Sequence, residues 1–172
     1  PAVISNPATD PHDFEPAAAD LAKVTQAKVL VANGGTYDNA IYKAADPANV
    51  ISALPLSSEE HDHEHEGHDH EHEHEGEHAG HDHAHDENEH IWYDTTVVRE
   101  VADKLAKAAE DNGVQADTAE LNKRLDDVDA KLDALPVARI AQTHPIADSI
   151  VENSALEDVT PEDYRQATLN HT

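Results

Sequence analysis

Residues 29–38 read VLVANGGTYD, in which four apolar residues run directly into Asn-Gly-Gly. The apolar run has the length of a buried strand, and the breaker behind it predicts that the strand ends at residue 32. A second apolar run at 50–54 predicts another buried strand, with a short helix over 37–45 between the two. Helices that alternate with uniformly apolar strands indicate a parallel sheet covered on both faces, and therefore the α/β class.

The residues around this stretch predict further elements on both sides. A β-branched run predicts a strand over residues 2–5, and Pro16 suits the first position of a helix. Asp94 is a good N-cap for another helix, which Asn112 and Gly113 would end.

The last third of the chain predicts one more helix and one more strand. A helix over 117–134 stops at Pro136, and a strand over 137–141 follows. The tail contains a helical stretch over 146–152 and a helix start at 160–163. The apolar positions of the helix over 117–134 form a narrow stripe, which consists of Leu121, Leu125, Val128, Leu132 and Leu135.

Charge is unevenly distributed along the chain. With 37 acidic and 11 basic residues, the formal net charge at pH 7 is −26, and residues 59–89 alone carry −14. So negative a chain is repelled by phosphate, which argues against nucleic acid or an anionic membrane as a partner. The chain has no apolar run long enough to span a membrane, and the absence of Cys excludes disulfides and thiolate zinc sites. Because it also lacks Met, we expect it to be a piece of a longer protein.

The tract of residues 59–89 is rich in metal-binding side chains. Nothing in it can bury a core, which predicts a mobile, disordered loop. Imidazole suits Zn²⁺ and similar metals, and the neighbouring carboxylates raise the local concentration of cations. We interpret the tract as a low-affinity metal-collecting loop rather than a solubilising linker, since the acids alone would solubilise. Its histidines are His61, His63, His65, His68, His70, His72, His74, His78, His81, His83 and His85.

Three histidines outside the tract share a setting. His12 lies between a predicted strand and a helix, His90 lies just before a predicted helix, and His144 lies immediately after a predicted strand. In open α/β sheets, ligands bind outside the carboxyl ends of the strands. Three imidazoles delivered to that edge would provide three of the four corners of a tetrahedral zinc site.

Three blocks of sequence carry a resemblance to a known family. They are DPHDFEP at 10–16, VLVANGGTYD at 29–38 and EHIWYD at 89–94, and Thr143 and His144 follow after the long helix. In order and spacing they resemble the metal-specific solute-binding proteins of bacterial ABC importers, the zinc/manganese cluster. A loop rich in histidine and acid between the blocks is typical of the zinc members more than of the manganese members.

The resemblance implies how the chain is divided. An N-terminal metal-binding lobe over residues 1–116 would hold a parallel sheet flanked by helices. A long connecting helix over 117–135 would lead to the beginning of a second α/β lobe over 137–172, which this chain would contain only in part. The first strand and helix of the family would be mostly missing.

The resemblance also implies the site and its task. His12 and His90 match the two ligands of the first lobe, and His144 matches the first ligand of the second lobe, whereas the fourth ligand, an Asp or Glu, would lie beyond this chain. The implied function is capture of Zn²⁺, in preference to Mn²⁺, outside the cytoplasm and its delivery to the membrane permease of an ABC importer. We expect a monomer without enzymatic activity, either periplasmic or a cell-surface lipoprotein, whose signal or anchor is not in this chain.

Two other classes of function remain open. A metal-buffering or storage protein would act through the tract alone, so that deletion of residues 59–89 would abolish tight binding. A metallohydrolase would need three zinc ligands, a positioned general base and an open coordination position. None of the predicted helices carries a His-Glu-x-x-His motif, which weighs against the hydrolase.

Overall fold

The computed structural model describes residues 2–6, 9, 14–57 and 88–169. Over these ranges the chain has the predicted mixed α/β architecture, with two separate pairs of parallel strands and helices around them. His12 and the eleven histidines of the acidic tract lie outside the described residues, as does the predicted loop except for its last two residues. Within the described ranges, no helix has the length and apolar character needed to cross a membrane.

The first strand pair forms where the apolar runs predict it. Helix α1 (Ala18–Thr25) precedes strand β1 (Leu30–Ala32), which pairs in parallel with β2 (Val50–Ser52). The connection between the strands contains α2 (Asn39–Tyr42), shorter than the helix predicted there, and a 3-10 turn at Pro47–Asn49. This strand–helix–strand order is the parallel unit that the sequence predicts.

The turn after β1 requires glycine at its first position. Gly34 has a φ of 88°, and a Cβ there would lie 2.3 Å from the carbonyl oxygen of Leu54, so no larger residue fits. The carboxylate of Asp38 closes the turn by accepting hydrogen bonds from the backbone N–H groups of Asn33 at 2.7 Å and Gly34 at 3.0 Å. Burial raises the pKa of Asp38, and the nearby charge of Glu89 adds to this effect, while the backbone hydrogen bonds oppose it.

An apolar core lies between the helices and the sheet of the first strand pair. Val3 and Ile4 pack against this core, but they form a bend rather than a strand. The prediction of a strand over residues 2–5 is therefore wrong, because the β-branched side chains there serve packing and their backbone does not pair. The buried residues of the core are Val24, Ile41 and Ala45.

One face of the first sheet is less covered than predicted. Val31, in the middle of β1, is 46 % exposed, whereas the next residue, Ala32, is buried. Val31 borders a groove of about 700 Å³ whose other walls include Val3 and Ile4. Successive side chains of a strand point to opposite faces, so a run of four apolar residues does not require that both faces are buried.

Helix α3 (Thr95–Asp111) begins and ends where the sequence predicts. The carboxylate of Asp94 accepts hydrogen bonds from the backbone N–H groups of Thr96 at 2.8 Å and Val97 at 3.1 Å, as an N-cap does. The chain leaves the helix through Gly113, which has a φ of 76°.

Helix α4 (Ala119–Asp133) is the second predicted helix, and it packs against α3. Of its apolar stripe, Leu125 is buried, so the seam between the helices is narrow. Arg99 of α3 reinforces the seam by donating to Asp126 and Asp129 of α4, each at 2.8 Å. Apolar burial centred on Leu125, with Leu121 and Leu132 half-buried, and ionic contacts at its side therefore hold the pair of helices.

The chain then forms a second parallel strand pair. Strand β3 (Ala138–Ile140) lies where the sequence predicts it and pairs with β4 (Leu156–Asp158), which no sequence pattern predicts. Between them lie a 3-10 turn at Pro145–Ala147 and helix α5 (Asp148–Glu152), and helix α6 (Glu162–Leu169) follows β4. The helical stretch and the helix start predicted in the tail are therefore both present.

Candidate metal centre

The structure brings two of the three predicted ligand histidines together. His90 lies directly before the 3-10 turn Ile91–Tyr93, and His144 directly before the turn Pro145–Ala147. Their ring centroids are 5.0 Å apart, and the ring planes meet at 89°. The contact joins the segment before α3 to the segment after β3. His12 lies outside the described residues, so its place in the site stays a prediction.

The segment that carries His90 is held by the loop after β1. The side-chain amide of Asn33 donates to the backbone carbonyl of Glu89 at 3.0 Å. The carboxylate of Glu89 accepts hydrogen bonds from the backbone N–H of Thr36 at 2.8 Å and from the Thr36 hydroxyl. The glycine-containing loop that ends the first strand thus also positions His90.

The segment that carries His144 is fixed on both of its sides. Before it, the hydroxyl of Tyr164 in α6 donates to the carbonyl of Thr143 at 3.0 Å. After it, Pro145 is fully buried. The proline also restricts the residue before it to extended backbone, and His144 accordingly has φ −153° and ψ 135°. His144 therefore projects from a constrained backbone.

An ionic network lies beside the His144 segment. Arg165 donates to both carboxylate oxygens of Asp148 and to Asp158 at 3.4 Å. The side-chain amide of Gln142 donates to the same two carboxylates at 2.8 and 2.9 Å. Burial alone would raise the pKa of Asp158, but hydrogen bonds from Thr160 and Gln142 and the charge of Arg165 hold that pKa below its ordinary value. Both carboxylates therefore have cationic and amide partners, and we assign them to the fold rather than to metal binding.

An aromatic pair lies beside His90. The ring centroid of Trp92 is 5.2 Å from that of His90, and the ring of Tyr37 is 5.0 Å from that of Trp92. Trp92 is 39 % exposed. Trp92 therefore contacts the imidazole of His90, and Tyr37 packs against Trp92.

Asn88 contacts both histidine-bearing segments, and no sequence pattern singled it out. Its side-chain nitrogen donates to the carbonyl of Pro145 at 2.7 Å and to the carboxylate of Asp148 at 2.6 Å. Its side-chain oxygen accepts the backbone N–H of His90 at 3.1 Å and lies 2.6 Å from Nδ1 of the His90 ring. The one sequence feature that could have pointed to Asn88 is its position two residues before a predicted ligand, His90.

Two imidazoles this close together suit zinc, which takes neutral imidazole nitrogens into a tetrahedral shell. Among the residues that the structure describes, no group of three or more His, Cys, Asp or Glu side chains is arranged to hold a metal ion. The described residues therefore provide two candidate ligands, His90 and His144, and a complete site needs further ligands from elsewhere.

Comparison with known families identifies the family of the chain. A family model described as zinc-uptake complex component A, periplasmic (ZnuA), matches residues 1–168. No curated protein and no solved structure matches the chain. The matched range includes both histidine-bearing segments and both strand pairs. The chain therefore belongs to the ZnuA family of periplasmic zinc-uptake components.

Proposed function

We propose that this protein captures Zn²⁺ outside the cytoplasm and delivers it to the membrane permease of an ABC importer. Membership of the zinc-uptake family supports the cargo and the compartment. The observation that carries the proposal is the approach of the His90 and His144 rings to 5.0 Å, although they lie in segments 54 residues apart in the sequence. The protein would bind its cargo and release it, without catalysing a reaction.

In this proposal three histidines hold the metal. His90 and His12 belong to an N-terminal lobe over 1–116, and His144 belongs to the second lobe, which begins at 137. Helix α4 would be the connection between the lobes. A site of neutral imidazoles favours Zn²⁺ over Mn²⁺, since Mn²⁺ prefers oxygen ligands. The fourth ligand would be a carboxylate, as the family resemblance implies.

The acidic histidine tract would serve the same cargo with lower affinity. It ends at Glu89, immediately before His90. Ions held loosely by the tract would therefore be concentrated beside the proposed site. The tract has many more donors than one ion needs, so we expect it to bind several ions without one fixed geometry.

Zinc affinity is tested in the full chain with all eleven tract histidines replaced by Gln, so that the tract cannot hide the site. We expect His12→Ala and His90→Ala each to abolish tight binding, and His144→Ala to weaken it less. The first two losses should exceed the roughly 10- to 100-fold that removal of a ligand's hydrogen-bonding partner typically costs. His171, the one histidine of the sequence outside the tract and the three proposed ligands, provides the matched control, and His171→Ala should leave the affinity unchanged. An unchanged affinity in His90→Ala would overturn the proposed site.

The same variants separate this proposal from metal buffering. A storage protein would lose tight binding when the tract is substituted and would be insensitive to His90→Ala. Selectivity for Zn²⁺ over Mn²⁺ is measured by competition, in which Zn²⁺ should displace Mn²⁺ at equal concentration. Delivery is measured as zinc uptake into proteoliposomes that contain the permease and ATPase of the importer, with and without this protein.

A further inference from the structure

The orientation of the Asn88 amide is fixed by its surroundings. Two groups that can only accept hydrogen bonds, the carbonyl of Pro145 and the carboxylate of Asp148, lie 2.7 and 2.6 Å from its nitrogen. The NH₂ group must therefore point at them, because an oxygen in that position would face two other oxygens. The carbonyl oxygen of the Asn88 side chain consequently points at His90.

This orientation determines which ring nitrogen of His90 carries a proton. The Asn88 oxygen has no hydrogen to give, yet it lies 2.6 Å from Nδ1 of His90. Nδ1 must therefore be the donor. A neutral imidazole has a single N–H, so its lone pair is then on Nε2.

The far end of this connection is itself immobilised. Pro145 is fully buried, and Asp148 is 9 % exposed and paired with Arg165. Asn88 is thus a bridge between the His90 ring and a rigid part of the His144 segment. A side chain bonded in this way can set both the tautomer of one histidine and its distance from the other.

We propose that Asn88 is a positioning residue for zinc, which it never touches. It holds His90 in the Nδ1–H form, so that Nε2 presents the lone pair, and it ties His90 to the segment that carries His144. A partner on the second ring nitrogen orients a metal-binding histidine and raises its basicity. The zinc part of this inference rests on the proposed function, whereas the tautomer is a property of the metal-free protein.

Two substitutions separate the two halves of the bridge. Asn88→Asp keeps an oxygen that can accept from Nδ1 and from the backbone N–H of His90. It places its second oxygen against Pro145 and Asp148, so the link to the His144 segment is lost. Asn88→Ala removes both halves. Asn112→Ala is the matched control, because the Asn112 side chain also donates to a backbone carbonyl, that of Ala108 at 2.8 Å, but lies at the end of α3.

The tautomer is measured by long-range ¹H–¹⁵N correlation on the metal-free full chain at about pH 8.5, where a free imidazole is neutral. The His90 signals are identified by their loss in His90→Gln. We expect Nδ1–H in the wild type, in Asn88→Asp and in Asn112→Ala, and a shift towards Nε2–H in Asn88→Ala. A wild-type His90 with its proton on Nε2 would overturn the inference without any variant. An unchanged tautomer in Asn88→Ala would also overturn it.

Zinc affinity provides the second readout, again with the tract histidines replaced by Gln. We expect Asn88→Ala to weaken binding roughly 10- to 100-fold and Asn88→Asp to weaken it less, since the acceptor remains. Equal losses in both variants would contradict the orienting role. If His90 carries its proton on Nδ1 but His90→Ala leaves zinc affinity unchanged, the role of Asn88 in zinc binding and the proposed function are both wrong. A wrong tautomer with an intact effect of His90→Ala overturns only the role of Asn88.

Discussion

The two strand pairs have the same topology but are held by different forces. β1 and β2 rest on an apolar core in which Val24, Ile41 and Ala45 are buried. β3 and β4 adjoin a polar network in which Arg165 and Gln142 bind the carboxylates of Asp148 and Asp158. The first pair depends on the hydrophobic effect, and the second depends on hydrogen bonds and charge.

This difference matters for the site because each half of the molecule holds one of the two contacting histidines. The His90 segment is bonded to the loop after β1, and the His144 segment is bonded to elements around β3 and β4. Apolar burial responds weakly to salt and pH, whereas ion pairs respond to both. The separation of the two rings therefore depends on two structures with different sensitivities.

The largest effect is expected in the apolar core. Ile41→Ala should lower the free energy of unfolding by about 3 kcal/mol, because it removes a buried side chain and leaves a cavity. Ile146→Ala, in the second half, is the matched control, since Ile146 is 38 % exposed and should cost less than about 1 kcal/mol. Denaturant unfolding followed by circular dichroism measures both. Equal losses would show that the first pair has no special dependence on its core.

A smaller effect is expected in the polar network. Arg165→Met should cost about 1–2 kcal/mol, less than a fully buried pair would, because the Arg165 side chain is 26 % exposed. Hydrogen exchange should accelerate at the amides of β3 and β4 and stay unchanged in β1.

The control for this substitution is an exposed ion pair. Arg124→Met removes a contact to Glu120 in which both side chains are more than 70 % exposed, and it should cost less than about 0.5 kcal/mol. Exchange that accelerates as much in β1 as in β3 would contradict the separation of the two halves.

The smallest effect is an opposite response to acid. The folded pKa of Asp158 lies below 3.8, so its contribution to stability is fully present above pH 3.8 and is lost as the pH falls through the lower folded value. The folded pKa of Asp38 lies above 3.8, so its carboxylate costs stability at neutral pH, and this cost is relieved as the pH falls through the raised value.

Acid unfolding of two variants tests this response. Asp158→Asn should reduce the loss of protection at β3 and β4 on acidification. Asp38→Asn should abolish the relief at β1 and β2. Hydrogen exchange measured from pH 5 to pH 3 resolves the two pairs, and a parallel response of both pairs in the wild type would contradict the assignment.

Much of the fold is predictable from local sequence, because the signals are local. The apolar run into Gly34 predicts β1, and Asp94 and Gly113 mark the ends of α3. β4 is not predictable in this way, since its residues are Leu, Glu and Asp, and its pairing depends on β3. The strand predicted at 2–5 does not form, because an apolar segment becomes a strand only where another strand is available to pair with it.

The site is predictable only in part. His90 and His144 can be selected by their positions next to predicted strands and helices, together with the resemblance. Their contact depends on tertiary structure, which the spacing of residues in the sequence does not reveal. The roles of Glu89 and Asn88 are not predictable, because both residues belong to a long polar tract. One polar residue in such a tract cannot be distinguished from its neighbours by sequence. Their roles depend on partners more than fifty residues away in the sequence.

The aromatic neighbour of His90 has a practical consequence. Trp92 is the only tryptophan in the chain, so the indole fluorescence of the whole protein has a single origin, 5.2 Å from the His90 ring. An indole reports changes in the electric field around it, and a divalent cation on the neighbouring imidazole would change that field. The protein therefore contains a natural optical probe of occupancy at His90, without any label.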